Sequence, residues 1–157
     1  MRQGKSVKIN IRRRFSATVE SVFDAWLIPY LAGSWMFGPR LTEQEVVTLE
    51  NEPRSSGHFL FVVNRDGVEQ KITGQYQEIR RPEKMICSWG SGEEEAALSK
   101  LTLTLGLEAG KTHMKLTHEL DPALAENADK IRREWNIRCQ ALAQLVEKAG
   151  KQGQLFK

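Results

Sequence analysis

The sequence predicts an α+β fold with an antiparallel sheet of about six or seven strands and one long C-terminal helix. Three observations predict it. Most of the chain alternates apolar and polar residues, turn-forming residues separate the alternating stretches, and a long amphipathic stretch ends the sequence. Because short turns join the predicted strands directly, the pattern argues against a parallel sheet with interleaved helices.

The N-terminal part predicts a strand followed by two short helices. Residues 7–15 alternate apolar and polar side chains, which is typical of a half-buried strand. Thr18 is a good N-cap for a helix that begins at Val19. Pro29 ends or interrupts this helix, since the residue before a proline is biased away from helical geometry. A second short helix is predicted at about 30–35, where a Gly-Pro pair follows it.

The middle of the chain predicts six consecutive strands. Residues that tolerate a positive φ separate them at 64–67 and 108–110, and a proline marks a turn at 81–83. Residues 91–95 are predicted to form a solvated loop. The strands are predicted at residues 42–49, 57–63, 68–79, 84–89, 98–107 and 111–120.

The C-terminal part predicts the longest helix. Asp121 is the N-cap, Pro122 fits the first helical position, and Gly150 is a natural stop. The roughly 28 residues between them would span about 42 Å. One stripe along this helix is apolar. Its members are Ala128, Ile131, Trp135, Cys139, Leu142 and Val146.

Length and composition indicate an ordinary globular chain. Its 157 residues are most simply one domain (1–157), with 40% hydrophobic and 27% charged residues and a net charge of +3. The basic runs at 12–14 and 130–133 form no long stripe interleaved with aromatic residues. No apolar stretch approaches the ~20 residues of a membrane span, and two cysteines make no disulfide framework. We expect a cytoplasmic protein that binds neither nucleic acid nor membrane.

Seven short motifs follow one another in an order and spacing that is fairly specific. They are Phe15-x-Ala17, Val22-Phe23-x-Ala25-Trp26, Trp35 with Gly38-Pro39, Gly74-x-Tyr76-x-Glu78-Ile79, Pro82-Glu83-Lys84-Met85 with Trp89, Leu116-Thr117-His118-Glu119, and Trp135. Together they resemble the AHSA1-like (activator of Hsp90 ATPase homologue 1-like) family of the SRPBCC, or START/Bet v 1-like, superfamily. The resemblance spans nearly the whole chain and implies the helix-grip (Bet v 1-like) fold, in which a curved antiparallel sheet wraps around the long C-terminal helix and a pocket can lie between them.

Two departures from the family pattern concern this pocket. Where the family often has a second tryptophan after Trp35, this chain has Met36-Phe37. Where it often has a glycine before the tryptophan of the last helix, this chain has Glu134. Both changes would alter the lining or rim of a cavity, so a relative's ligand cannot be transferred.

The parity of the strands predicts which side chains face the long helix. They could line an apolar cavity that binds a ligand, or they could simply fill the core, where each would contribute about 1.5–3 kcal/mol by burial. The same parity turns His118 inward and His58 and His113 outward. The candidate ligand-binding residues are Trp35, Phe59, Phe61, Tyr76, Met85, Cys87, Trp89, Leu116, His118, Trp135 and Leu142.

The sequence offers no convincing catalytic or metal site. Cys87 lacks a visible activating group, and an inward His118 is expected to bond to backbone rather than to a ligand. No two histidines share a face at a spacing that suits a metal. We therefore predict no catalytic residue, no metal and no cofactor.

Three functions remain open at this stage. The leading hypothesis is non-enzymatic binding of a small apolar or amphipathic molecule between sheet and helix, oriented by His118, Tyr76 or a tryptophan N–H. The resemblance also implies a co-chaperone-like module that contacts an Hsp90-type chaperone through the outer face of the sheet. The third possibility is an SRPBCC enzyme such as a cyclase or hydrolase. A monomer or a homodimer is expected.

Overall fold

A computed structural model describes residues 6–37 and 43–152. In the described part, short 3-10 turns lie at Glu43–Glu45 and Pro122–Asn127. None of the described helices is both long and apolar enough to cross a bilayer. The strands and helices are β1 (Val7–Phe15), α1 (Val19–Leu27), α2 (Pro29–Met36), β2 (Val46–Asn51), β3 (His58–Arg65), β4 (Val68–Arg80), β5 (Lys84–Cys87), α3 (Glu93–Ala97), β6 (Ser99–Glu108), β7 (Lys111–Leu120) and α4 (Ala128–Gln152).

The seven strands form one antiparallel sheet in the order β1-β7-β6-β5-β4-β3-β2. All neighbours are consecutive in sequence except β1, which pairs with β7 so that Val7 lies opposite Leu120. The β3–β4 hairpin turns at Asp66 and Gly67, whose φ angles are 53° and 79°. Positive φ at both central positions is what a tight hairpin requires, and the sequence predicts such residues there.

Helix α4 packs its apolar stripe against the concave side of this sheet. The predicted stripe is confirmed, since Trp135, Cys139, Leu142 and Val146 are fully buried and Ile131 exposes 9% of its surface. Helix α4 also contacts β1 and the two N-terminal helices. The chain therefore has the predicted α+β helix-grip architecture, with the core between sheet and α4.

Local chemistry explains where the first helices begin and end. The Thr18 Oγ1 atom accepts a hydrogen bond from the Ser21 N–H at 3.1 Å, as expected of an N-cap. Ile28 leaves helical geometry at a ψ of 119° because Pro29 follows it. Pro29 then occupies the first turn of α2, where a missing N–H costs little.

Several predicted boundaries differ from the structure. The predicted loop 91–95 contains the start of α3, whose first turn holds three glutamates that favour the helix dipole. Strand β5 ends at Cys87 rather than at residue 89, because the next residues bond back to β4 through the isolated bridge between Thr73 and Gly90. Strand β2 begins at Val46, after a 3-10 turn, rather than at residue 42.

The last helix differs from prediction at both ends. The Asp121 carboxylate caps as predicted by accepting the Ala123 N–H at 2.9 Å, but a 3-10 turn separates it from α4. Gly150 does not end the helix, which runs to Gln152. The predicted Gly38-Pro39 turn lies outside the described residues.

Candidate functional site

Closely packed aromatic rings fill the space between sheet and α4. The Trp26 ring centroid lies 4.7 Å from that of Trp35 and 5.9 Å from that of Trp135. The Trp89 and Trp135 centroids are 4.9 Å apart, and Phe59 is 5.7 Å from Trp89. These are normal contact distances for packed aromatic pairs, so the rings occupy the interior themselves. Trp26 joins α1 to this cluster and was missing from the predicted set, although it lies on the apolar face of α1.

A groove with a cavity volume of about 560 Å³ lies beside this cluster, where α4 meets the sheet. The end of α2 forms one wall, β4 and the segment after β5 form another, and α4 forms the third. The residues that line it include Met36, Phe37, Glu69, Gln70, Lys71, Ile72, Trp89, Gly90, Ser91, Glu95, His118, Asn127, Lys130, Ile131, Glu134, Ile137 and Arg138.

The predicted ligand-binding residues divide between this groove and the core. All eleven are buried, and none exposes more than 4% of its surface. Trp89 and His118 line the groove. The other nine belong to the hydrophobic core or pack on the aromatic cluster: Trp35, Phe59, Phe61, Tyr76, Met85, Cys87, Leu116, Trp135 and Leu142.

His118 is held in one tautomer by the last helix. Its Nδ1 atom accepts a hydrogen bond from the Trp135 Nε1–H at 3.0 Å. An indole N–H can only donate, so Nδ1 carries no hydrogen and the neutral ring bears its proton on Nε2. That Nε2 atom is buried and has no hydrogen-bond partner among the described residues.

The imidazole of His118 is uncharged at neutral pH. Burial, together with the nearby positive charge of Arg138, lowers its pKa from the ordinary 6.5 to about 4. The Trp89 backbone, the kind of partner predicted for His118, raises the pKa through a hydrogen-bonding interaction without offsetting these two effects, but at Nε2 this contact falls short of hydrogen-bond geometry. The ring therefore meets the groove as a neutral N–H donor.

Arg138 places a cation in the wall of the groove. Its Nε–H donates to the Met36 carbonyl oxygen at 2.8 Å. The guanidinium carbon lies 5.1 Å from the ring centroid of Trp135 and 5.8 Å from that of Trp89, so the cation rests on two indoles. Burial lowers the pKa of this guanidinium, while the charge of Glu134 raises it. Sequence reasoning missed Arg138, yet its position three residues after Trp135 sets it beside the apolar stripe.

The polar groups that were expected to orient a ligand are mostly engaged within the protein. The Tyr76 hydroxyl donates to the Asn51 side-chain oxygen. The Trp35 Nε1–H donates to the Ala25 carbonyl oxygen at 2.8 Å, and the Trp135 indole is bonded to His118. His118 retains an unused donor beside the groove, and the buried Trp26 Nε1–H also has no partner among the described residues.

The cysteines are not set up for nucleophilic catalysis. Cys87 is fully buried, and burial raises its pKa well above the ordinary value, which disfavours the thiolate. Leu101 lies between Cys87 and His118 in the sheet register, so a strand separates the thiol from that base. Burial likewise raises the pKa of Cys139 to about 11. No three His, Cys, Asp or Glu side chains within the described ranges are placed to hold a metal ion.

Both departures from the family pattern lie at the groove. Met36 and Phe37 close it at the end of α2, and Glu134 lies on its α4 side. The sequence predicted that these positions would alter the lining or rim of a cavity. The structure places all three around the same opening.

Comparison with solved structures identifies the same architecture in several bacterial proteins. Protein CV1439 from Chromobacterium violaceum is 22% identical, with a TM-score of 0.72 over 90% of this chain and 98% of its own. Protein SA2116 from Staphylococcus aureus, of unknown function, is 14% identical, with a TM-score of 0.76 over 94% and 97%. No curated protein matches the chain. The family model for activator of Hsp90 ATPase homolog 1-like proteins matches residues 16–147, and this chain belongs to that family.

Proposed function

We propose that the protein binds a small amphipathic molecule, without catalysing its conversion, in the groove between α4 and the sheet. Membership of the family and the fold support a ligand-binding or co-chaperone-like domain. The observation that carries the finer proposal is the groove itself. Its volume of about 560 Å³ lies in the range of small-molecule sites, roughly 300–1,000 Å³.

The packing of the core determines where such a ligand would lie. Nine of the eleven candidate residues are packed among themselves and with Trp26, and we assign the ligand to the groove that the other two, Trp89 and His118, line. Its apolar body would rest on Trp89, Ile72 and Ile131. The ligand site thus moves from the enclosed apolar cavity expected from the sequence to a groove with a mixed lining.

Binding in the groove can be tested with matched substitutions of two exposed apolar residues. Ile137 lines the groove and is 54% exposed, whereas Leu107 is 73% exposed at the end of β6. A library of amphipathic compounds would be screened by tryptophan emission and melting temperature. For any hit, Ile137→Ser should weaken binding about fivefold, as expected from the loss of one partly buried apolar contact, and Leu107→Ser should not. If no compound alters either signal, or if both variants weaken binding equally, the proposal fails.

A second candidate, a protein-interaction module, is favoured by a row of cations on the outer face of the sheet. Arg12 lies opposite Lys115, Lys115 opposite Thr104, Thr104 opposite Lys84, and Lys84 opposite Arg80. Within the described residues, three of the four cations form no ion pair, while Arg80 contacts a glutamate on its own strand. Such a row suits an acidic protein surface.

The family name makes an Hsp90-type chaperone the partner to test. Capture of the chaperone on the immobilised protein would be compared between wild type and the double variant Arg12→Glu/Lys115→Glu. The control is Arg132→Glu/Lys148→Glu, which changes the net charge equally on the outward side of α4, where both residues are exposed. Loss of capture in the first variant alone supports this function. Equal capture by all three proteins, or capture by none, contradicts it.

A further inference from the structure

Arg138 is a cation that forms no ion pair with a described residue, although the charges of Glu134 and Glu95 act on it from a distance. Its Nε–H bonds to the Met36 carbonyl oxygen, and none of the described residues accepts a hydrogen bond from its two Nη groups. No carboxylate in the described part lies within 4 Å of it. A partly buried charge without a partner is costly, and folding alone does not explain it.

The acidic residues of the groove do not fill this role. Glu134 stands one helical turn before Arg138, at the spacing of a favourable helix pair, yet no ion pair forms. Glu95 accepts the Ser91 N–H at 3.0 Å, and Glu69 is exposed at the rim. Arg138 instead turns inward onto Trp135 and Trp89, so its free edge is left for a ligand.

His118 supplies a second unused donor beside the Trp135 indole. The His118 ring centroid lies 5.9 Å from that of Trp135, the indole on which Arg138 also rests. Because the Trp135 bond fixes the tautomer, the Nε2 proton is the one without a partner. A neutral donor and a cationic fork beside one aromatic surface match the two oxygens and the apolar body of an aromatic carboxylate.

We propose that the groove binds an amphipathic carboxylate, with the carboxylate on the Nη edge of Arg138 and on His118 Nε2–H, and an aromatic or apolar body along Trp89. This inference rests on the proposed function, because it names the chemical class of ligand that the same groove takes. A guanidinium binds a planar carboxylate through two parallel hydrogen bonds, which a neutral amide cannot reproduce.

The test compares two probes that differ in this group alone. Titration calorimetry at pH 7.5 and fixed salt would measure the binding of 1-naphthaleneacetate and of 1-naphthaleneacetamide. Wild type should bind the acid at least about tenfold more tightly than the amide. Arg138→Met should abolish this preference, because the acid loses much more affinity than the amide when the cationic fork is removed. Arg132→Met, on the exposed side of α4, is the control and should keep the preference.

Further variants keep the inference testable if Arg138→Met unfolds. Arg138→Lys retains the charge without the fork and should reduce the preference severalfold. His118→Asn keeps an oxygen near the position that accepts the Trp135 N–H, but it removes Nε2. This variant should reduce the preference for the acid about threefold. Equal affinity of wild type for both probes, or a preference that survives Arg138→Lys and Arg138→Met, overturns the inference and leaves groove binding intact. Binding of neither probe to wild type overturns the inference and also counts against groove binding.

Discussion

His118 and Arg138 both contact the indole of Trp135, and this arrangement makes stability depend on pH. The folded-state pKa of His118 is about 4, against an ordinary value of 6.5, so the unfolded chain takes up the proton first as the pH falls. The contribution of His118 is fully present above pH 6.5 and is lost as the pH falls from 6.5 through 4. One pKa unit corresponds to 1.36 kcal/mol, so wild type should lose about 3 kcal/mol across this window from His118 alone.

The comparison protein for this prediction is His118→Asn, which cannot titrate there. Urea denaturation would give the free energy of unfolding of both proteins at pH 7.5, 6.0, 5.0 and 4.5. The difference between wild type and variant should shrink by about 2–3 kcal/mol toward pH 4.5. Parallel curves for the two proteins would mean that the imidazole is not desolvated.

Trp135 is the residue that joins the core to the groove. It is fully buried, stacks on Trp26, packs against Trp89 at a tilt, and donates to His118. Truncation to alanine removes these contacts and leaves a cavity, so Trp135→Ala should destabilise by roughly 3–5 kcal/mol. Ile137→Ala, an exposed position on the same helix, should change stability by less than about 1 kcal/mol. A loss below about 1 kcal/mol for Trp135→Ala in urea denaturation would contradict this account of the core.

The elements were predictable where a local signal decided them. Strand β1 and strand β7 have the predicted bounds because strict alternation and turn residues define both. Helix α3 was missed because three consecutive glutamates look like a solvated loop, whereas at a helix N-terminus they favour the dipole. Gly150 was expected to stop α4, but a glycine permits a helix end without forcing one.

The groove could not be predicted, because its shape depends on contacts between distant elements. Strand parity correctly turned Trp89 and His118 inward, but parity does not show whether rings from other elements leave space between them. Trp26 from α1 fills that space. Arg138 was overlooked because a charged residue on an amphipathic helix is usually solvated, and only the fold shows its guanidinium lying on two indoles.

Two strand glycines provide a test of close packing between elements. A Cβ atom on Gly74 in β4 would lie 2.0 Å from the Ser88 carbonyl oxygen and 2.6 Å from Phe59 Cζ. A Cβ atom on Gly106 in β6 would meet nothing within 4 Å. In thermal or urea denaturation, Gly74→Ala should therefore destabilise by about 2 kcal/mol or more, and Gly106→Ala should be neutral or slightly stabilising. Similar effects at both positions would contradict the described approach of Ser88 and Phe59 to Gly74.

The whole molecule has two surfaces with different chemistry on opposite sides of the sheet. The groove lies on the concave side, next to α4, and the cationic row crosses the outer face. The two proposed functions therefore use separate residues, and substitutions at one surface should not alter the other. Well-separated sites usually contribute to stability additively.

The cationic row should lower the stability of the sheet, because like charges directly opposite each other on neighbouring strands repel. Lys115 faces Arg12, so Lys115→Glu creates an attractive pair and should raise the free energy of unfolding by about 0.5–1 kcal/mol at low salt. Lys100 is the matched control, since it is equally exposed on the adjacent strand but faces Glu119. Lys100→Glu makes the same change in net charge and should destabilise by a similar amount.

Denaturation of both variants at 20 mM and 500 mM salt separates this effect from a change in net charge. High salt screens exposed charges, so both changes in stability should shrink toward zero. Lys115→Glu should also leave the affinity of any groove ligand unchanged. If both variants change the free energy of unfolding in the same direction, net charge dominates and repulsion within the cationic row does not destabilise the sheet. If only Lys115→Glu stabilises, the protein retains an unfavourable cross-strand contact that folding does not require, as expected of a surface kept for a partner.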